Sequence, residues 1–322
     1  MEICLMIEGQ EGVGWDQWVA LARACEEHGL HGLFRSDHYL SFDAPSERGA
    51  LDAWTTLAAL AAVTERIRLG TMVSPVTFRH PASLAKAATT VDHASSGRVE
   101  LGMGAGWFER EHEAFGFPFP SNAERLDLLG EQVEIVHRLW DRDEPEVSFA
   151  GSHYRLEAVS ALPRPVQEPH PPLILGGGAG PRSAGLAARW ADEYNVHSRS
   201  PEDARAARDR LASACASIDR DADELRLSLM TGTVVGADRA EVERRASALM
   251  EREGASGDVR AFIEERRSEQ LLGTVDQVLE RLGAYARAGV QRVLLQHLVH
   301  DDLEMVELIG REVVPAAAGL SV

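Results

Sequence analysis

The stretch "LFRSDHYLSF", Leu33 to Phe42, opens like a buried strand and then sets Arg35, Ser36, Asp37 and His38 in succession. A strand confined to a core has no need of such an ending, whereas one whose C-terminal end opens into a pocket does. An imidazole following a carboxylate there can take or give a proton near neutral pH. The other use of the same pair is a structural hydrogen bond, and the residues alone leave both uses of Asp37 and His38 open. A second stretch, "LGGGAGPRS", brings Gly176, Gly177, Gly178, Ala179 and Gly180 to the start of a helical pattern carrying Arg182 and Ser183. Unshielded backbone amides, a helix N-terminus and a guanidinium together suit an anion such as a phosphate. A tight strand-to-helix turn uses glycine in the same way. The stretch is not a Walker A loop, since no Gly-Lys-Ser/Thr follows.

"GMGAGW", Gly102 to Trp107, imitates a dinucleotide fingerprint. Trp107 stands where the third glycine belongs, and no acid ends a second strand about 20 residues on, so a Rossmann site is not expected. The small residues suit a flat ring laid against the end of the strand. His112 and Glu113 do not complete an HExxH pattern, and no spacing groups His, Asp or Glu as metal ligands, so no metal is expected.

These stretches need strands that all end on one side. Eight short apolar runs supply them, at residues 2–8, 32–37, 67–73, 99–104, 172–177, 193–198, 225–236 and 292–298. Helical spacing of apolar residues fills the intervals, over Asp16–His28, Ala53–Thr64, Ala82–Ala94, Ala123–Trp140, Arg182–Ala191, Pro201–Ile218 and Thr274–Ala288. Eight alternating units predict a (β/α)8 barrel spanning residues 1–322 as a single domain, with an open doubly wound sheet as the other solution. Two insertions interrupt the rhythm, at about 141–171, rich in Pro and Glu, and at about 251–272, highly charged.

Composition narrows the partners. The 322 residues are 44% hydrophobic, enough for a large core, and carry a formal net charge of −18. That excess of acid excludes nucleic-acid and anionic-membrane partners and leaves a small-molecule substrate. Cys4, Cys25 and Cys215 form no paired motif, and the N-terminal apolar run is too short for a signal peptide or a membrane span; a cytoplasmic protein is expected.

Beyond these readings, the chain resembles the luciferase-like monooxygenase superfamily, in particular its coenzyme F420-dependent branch. The resemblance rests on "SDHY", on the block from Arg66 to Phe119 that contains "RIRLGTMVSPVTFRHP" and "GRVELGMGAGWFEREHEAFGF", on "ERLDLLGEQVEIVHRLW", on "PPLILGGGAGPRSAGLAARWADEYNV" and on "LLGTVDQVLERLGAYARAGVQRVLL". It implies a luciferase-like TIM barrel, usually a homodimer, with a flavin or 5-deazaflavin across the C-terminal mouth. It implies further that Asp37 and His38 lie by the ring, His38 as acid or base and Asp37 setting its tautomer or binding the ring. A peptide that is often cis, matching Met72–Val73, would back the ring. Ala105 and Gly106 would also contact the cofactor, and Gly176–Gly180 with Arg182 would hold its phosphate. Phe42, Phe78 and Trp107 would line the substrate. The implied activity is F420-dependent hydride transfer to or from a small organic substrate. The alternatives are an FMN-dependent two-component monooxygenase, with a flavin or F420 reductase as partner, and a non-catalytic flavin-binding barrel. The sequence departs from deazaflavin sugar-phosphate dehydrogenases in carrying Trp107 where they carry a catalytic glutamate, with Glu109 and Glu111 further along. It departs again in having Asp192-Glu193 where many relatives have Asp-Gly.

Overall fold

Alternation along the apolar runs decides which side chains enter a barrel and which face its surrounding helices. The computed structural model describes residues 1–44 and 46–320. The barrel strands are β1 (Glu2–Ile7), β2 (Gly32–Arg35), β3 (Arg68–Thr71), β4 (Val99–Gly104), β5 (Leu173–Gly176), β6 (Glu193–His197), β7 (Arg226–Gly236) and β8 (Arg292–Gln296). Each is parallel to the next, and β8 returns to β1 with Glu2 opposite Arg292 and Met6 opposite Gln296. The sheet is closed, so the architecture is the (β/α)8 barrel and not the open doubly wound sheet.

The helices start where local chemistry tells them to. Pro81, Pro181 and Pro201 occupy first turns, Asp52 and Ser200 accept hydrogen bonds from Thr55 and Asp203, and Ser121 forms a reciprocal capping box with Glu124. The longest helix absent from the sequence expectation is Arg239–Arg252. Its buried stripe of Val242, Arg245, Ala246, Leu249 and Met250 is thin against a charged background. Within 141–171 the strands Val147–Ala150 and Arg155–Val159 pair as an antiparallel hairpin. Within 251–272 runs the helix Val259–Arg266, followed by a strand, Leu271–Thr274, that pairs with the far end of β7.

The barrel interior is stratified along its axis. Its middle is apolar, formed by Cys4, Met6, Phe34, Met72, Ile174 and Leu294 with Val73 and Met230 against them. Its N-terminal end is closed by charge. Arg292, 2% exposed, reaches Glu2 at 2.7 Å, Glu100 at 2.6 Å and Glu193 at 3.1 Å, while Arg68 also bonds Glu100. Burial raises Glu193, whereas at Glu100 the charges of Arg292 and Arg68 outweigh burial and hold the carboxyl below its usual range. The contacts at Glu193 are therefore those of an ionic plug opposite the mouth, which is where the unusual Asp192-Glu193 pair acts.

Removing one member of such a buried network leaves the others desolvated and unpaired. Arg292→Ala is expected to lower the unfolding free energy by about 3–5 kcal/mol, measured by urea denaturation. A loss below about 1 kcal/mol, the range of a surface pair, would show that the plug does not hold the barrel closed.

Candidate active site

The C-terminal mouth begins with the residues that follow β2. The Ser36 hydroxyl accepts from the Gly9 N–H at 2.9 Å and donates to Gln10 Oε1 at 2.6 Å, which anchors the loop after β1 to the end of β2. His38 comes next on this rim, and its Nδ1 lies 2.8 Å from Oε2 of Glu111. A carboxylate oxygen accepts, so Nδ1 carries the proton and Nε2 is left without a protein partner among the described residues. The other oxygen of Glu111 accepts from the backbone N–H groups of Tyr39, at 2.5 Å, and Leu40, at 2.9 Å. Glu111 is fully buried. It sits on the short helix Glu109–Phe115 after β4, so one carboxylate joins two rims of the mouth.

Burial alone would depress the His38 imidazole. The hydrogen bond and charge of Glu111, aided by Glu8 and Asp37, outweigh it and raise the group above its ordinary value. Aromatic rings then enclose His38, with centroids 5.1 Å away for Phe42, 5.9 Å for Trp107 and 6.1 Å for Phe108. Trp107 is 63% exposed, an apolar ring held at the mouth with little covering it.

Asp37 has a different task from the one its position next to His38 suggests. Its Oδ2 accepts from the Ser74 hydroxyl at 2.6 Å and from Arg79 at 2.5 Å, and Arg79 continues to Asp52 at 2.7 Å and to the Tyr39 hydroxyl at 2.9 Å. The tautomer of His38 is thus set by Glu111 and not by Asp37. Oδ1 of Asp37 is buried without a partner. Phe78 also lies apart from His38, in a second cluster with Tyr39 at 5.3 Å and Phe117 at 4.7 Å.

Just past β3, the strand next to β2, the Met72–Val73 peptide bond is cis. The Val73 side chain fills the space that the strand-end glycines leave open. A Cβ on Gly104 would lie 2.6 Å from Val73 Cγ2, one on Gly176 3.1 Å from Val73 Cγ1, and one on Gly102 2.1 Å from the Thr71 carbonyl oxygen. The smallness of Gly102 and Gly104 is taken up by the neighbouring strand, so these positions do not form an open bed for a ring. Ala105 and Gly106 follow them, and a Cβ on Gly106 would meet Pro75 at 3.3 Å.

The strand-five turn divides its amides. Gly177 N–H donates to the Asn195 carbonyl at 3.1 Å and Ala179 N–H to the Tyr194 hydroxyl at 2.8 Å, while Gly178 and Gly180 have no acceptor among the described residues. Arg182 points away from this turn, to Asp127 and the Ala123 carbonyl on the helix Asn122–Trp140. The guanidinium beside the turn belongs to Arg199, just past β6. Its Nη2 lies 3.5 Å from the position of a Cβ on Gly178, and its Nε is buried without a partner.

Two residues of this site, Glu111 and Arg199, lie outside the sequence expectation. Phe108, Glu111 and His112 share one helical face at spacing i, i+3, i+4, a pattern that separates Glu111 from the exposed Glu109 and Glu113 once the helix is recognised. Arg199 ends its strand as His38 ends β2, with polar residues immediately past an apolar run.

A closed (β/α)8 barrel with an imidazole, a buried carboxylate and an amide-lined turn converging on its C-terminal mouth has the build of an enzyme. The family model described as luciferase-like monooxygenase matches residues 3–292, and the chain belongs to that family. It is 29% identical over 282 residues to an FMNH2-dependent dimethylsulfone monooxygenase of Pseudomonas putida, covering 80% of this chain and 76% of that one. It is 33% identical over 227 residues to an F420-dependent hydroxymycolic acid dehydrogenase of Mycobacterium tuberculosis, covering 70% of this chain and 61% of that one. An F420-dependent glucose-6-phosphate dehydrogenase of Nocardia farcinica is 30% identical over 335 aligned positions, covering 97% and 96%. Among solved structures, an F420-dependent secondary alcohol dehydrogenase superposes with a TM-score of 0.82 at 18% identity over 98% of both chains, which shows the shared fold.

Glu111→Gln keeps the shape but removes the charge that raises His38. NMR titration of the His38 ring is expected to show its pKa falling in the variant, and an unchanged value would separate the two groups electrostatically. The sign for stability follows from linkage. The raised imidazole contributes fully below its unfolded pKa, and that contribution is lost as pH climbs through the folded value. The stability gap between the protein and Glu111→Gln should therefore narrow with rising pH across that window.

Proposed function

We propose that this protein is an F420-dependent oxidoreductase that transfers hydride between the 5-deazaflavin and a small organic substrate, with His38 as acid or base. The observation that carries this reading is the His38–Glu111 pair, a proton-handling group at the barrel mouth with Nδ1 fixed and Nε2 free. The residues present fit an anionic cofactor at the same mouth. Gly178 and Gly180 offer unused amides, Arg199 offers an unpartnered guanidinium nitrogen, and the helix Pro181–Trp190 directs its N-terminus at them. Asp37 keeps a buried acceptor, Oδ1, available for a donor that the protein does not supply.

When bound, a deazaflavin supplies a hydride-carrying carbon and reacts sluggishly with oxygen. The chain's own residues do the remainder. Arg199 and the glycine turn hold the phosphate, Val73 and Met72 fix the floor, and Phe42 and Trp107 exclude water from the substrate side. His38 exchanges a proton at Nε2 while Glu111 compensates its charge. Relatives with F420 in their names, at 30–36% identity, support the deazaflavin. The similarity to the Pseudomonas putida enzyme favours a second reading, an FMN-dependent monooxygenase served by a reductase, which would use the same cradle.

F420 is expected to bind much more tightly than FMN when each is titrated into the purified protein, and tighter FMN binding with oxygen-dependent turnover would establish the second reading instead. With F420 bound, His38→Ala should lower turnover by about 10²–10⁴ and leave cofactor affinity nearly unchanged. Near-normal turnover would remove His38 from the chemistry. Gly178→Asp places a carboxylate beside Arg199 and over the free amides. Charge-assisted hydrogen bonds contribute about 1.5–3 kcal/mol each, so cofactor affinity should fall by at least about tenfold. Unchanged affinity in a folded variant would put the phosphate elsewhere.

A further inference from the structure

Among the described residues Glu8 is a buried acid of the mouth with no ion-pair partner. Along β1 the residues Cys4 and Met6 face the barrel interior, and Glu8 follows in the same phase. Its side chain is 5% exposed, and its oxygens accept one amide each, from Gln296 at 2.5 Å and Gln10 at 2.8 Å. Every other buried or half-buried carboxylate nearby is matched. Asp37 and Asp52 share Arg79, Glu11 holds Arg48 at 3.1 Å, and Glu111 holds His38. Among the described residues no arginine, histidine or lysine comes within ion-pair distance of Glu8. Buried charges are ordinarily paired, and two neutral amides leave about two of the four acceptor positions of a carboxylate unused.

The wall above is built to the same preference. Phe42 and Trp107 lie 5.2 Å apart, and both rings contact His38. The charge of Glu8 acts on the His38 ring that both aromatics contact, and electron-rich ring faces in the field of a carboxylate attract a cation and also fit an apolar body around it. Arg48 and Arg79, the arginines that meet carboxylates on this rim, are both engaged.

We propose that the substrate carries a positively charged nitrogen on an apolar or aromatic framework, recognised by Glu8 together with Phe42 and Trp107. This assignment rests on the reading of the mouth as the catalytic end, and it deepens that reading from an unspecified small molecule to a cationic one. Gln10 and Gln296 are positioning residues that hold the Glu8 carboxylate by one amide each. Phosphorylated sugars are rejected by the same charge.

Isothermal titration calorimetry of the F420-free protein with N-methylquinolinium and neutral quinoline, two flat bicyclic probes of different charge, tests the assignment directly. N-methylquinolinium is expected to bind at least about tenfold more tightly than quinoline. Glu8→Gln is expected to abolish the preference for the cation, and Trp107→Leu to weaken both N-methylquinolinium and quinoline. Equal affinity for the cation and quinoline in the unaltered protein overturns the proposal, whatever the variants do. So does a preference for the cation that survives Glu8→Gln at an unchanged melting temperature. Because these titrations contain no F420, their failure is distinct from a failure of the cofactor reading, which the separate F420 and FMN titrations decide.

Discussion

One buried carboxylate fixes the relation between the two most important rims of this barrel. Glu111 accepts from the His38 ring and from the backbone of Tyr39 and Leu40. The segment after β2 is therefore not a free loop. Its backbone donors, which would otherwise be buried without acceptors, depend on a residue more than seventy positions later in the chain. The arrangement also fixes chemistry, because the oxygen that bonds Nδ1 decides which nitrogen of His38 faces the mouth. Structure and proton transfer share the same atoms, so the imidazole keeps its orientation without relying on the packing of the exposed Trp107.

The axial order of the interior explains why the charges at the mouth can act. Carboxylates and arginines at the N-terminal end are ion-paired around Arg292, with Glu193 Oε1 alone among their oxygens buried without a hydrogen bond. Above them Cys4, Met6, Phe34, Ile174 and Leu294 form a layer with no charged group. That layer separates the plug from the mouth and provides low-dielectric backing beneath His38, Glu8 and Arg199. Interactions there are stronger than they would be with water on both sides.

The barrel was legible in the sequence because short apolar runs with glycine or proline boundaries repeat eight times, the number of strands that closes a (β/α)8 barrel. Asp37 and His38 were legible as a polar ending to such a run, and the glycine turn as a strand-to-helix junction. What those signals lacked was direction. Adjacency in sequence suggests that Asp37 orients His38, yet consecutive residues at a strand end point to different sides, and Asp37 turns to Ser74 and Arg79. Arg182 fails as a neighbour of the turn for the same reason, since the first helical turn carries it outward to Asp127. Glycines at Gly102 and Gly104 read as room for a ligand, but Val73 and Thr71 occupy that room from the next strand. Contacts between strands are set by register and stagger, and a single sequence carries neither.

The mouth holds two charged groups of opposite sign, Glu8 and Arg199, with no ion-pair partner among the described residues. The His197 ring is affected by both, Glu8 favouring its protonated form and Arg199 opposing it, while burial depresses it more than either. Glu8 is held by two glutamine amides, and Arg199 lies beside the glycine turn. Leaving a buried charge unpaired costs desolvation that a ligand can recover. An anionic tail at Arg199 and a positively charged group at Glu8 would recover both at once, with the apolar layer below.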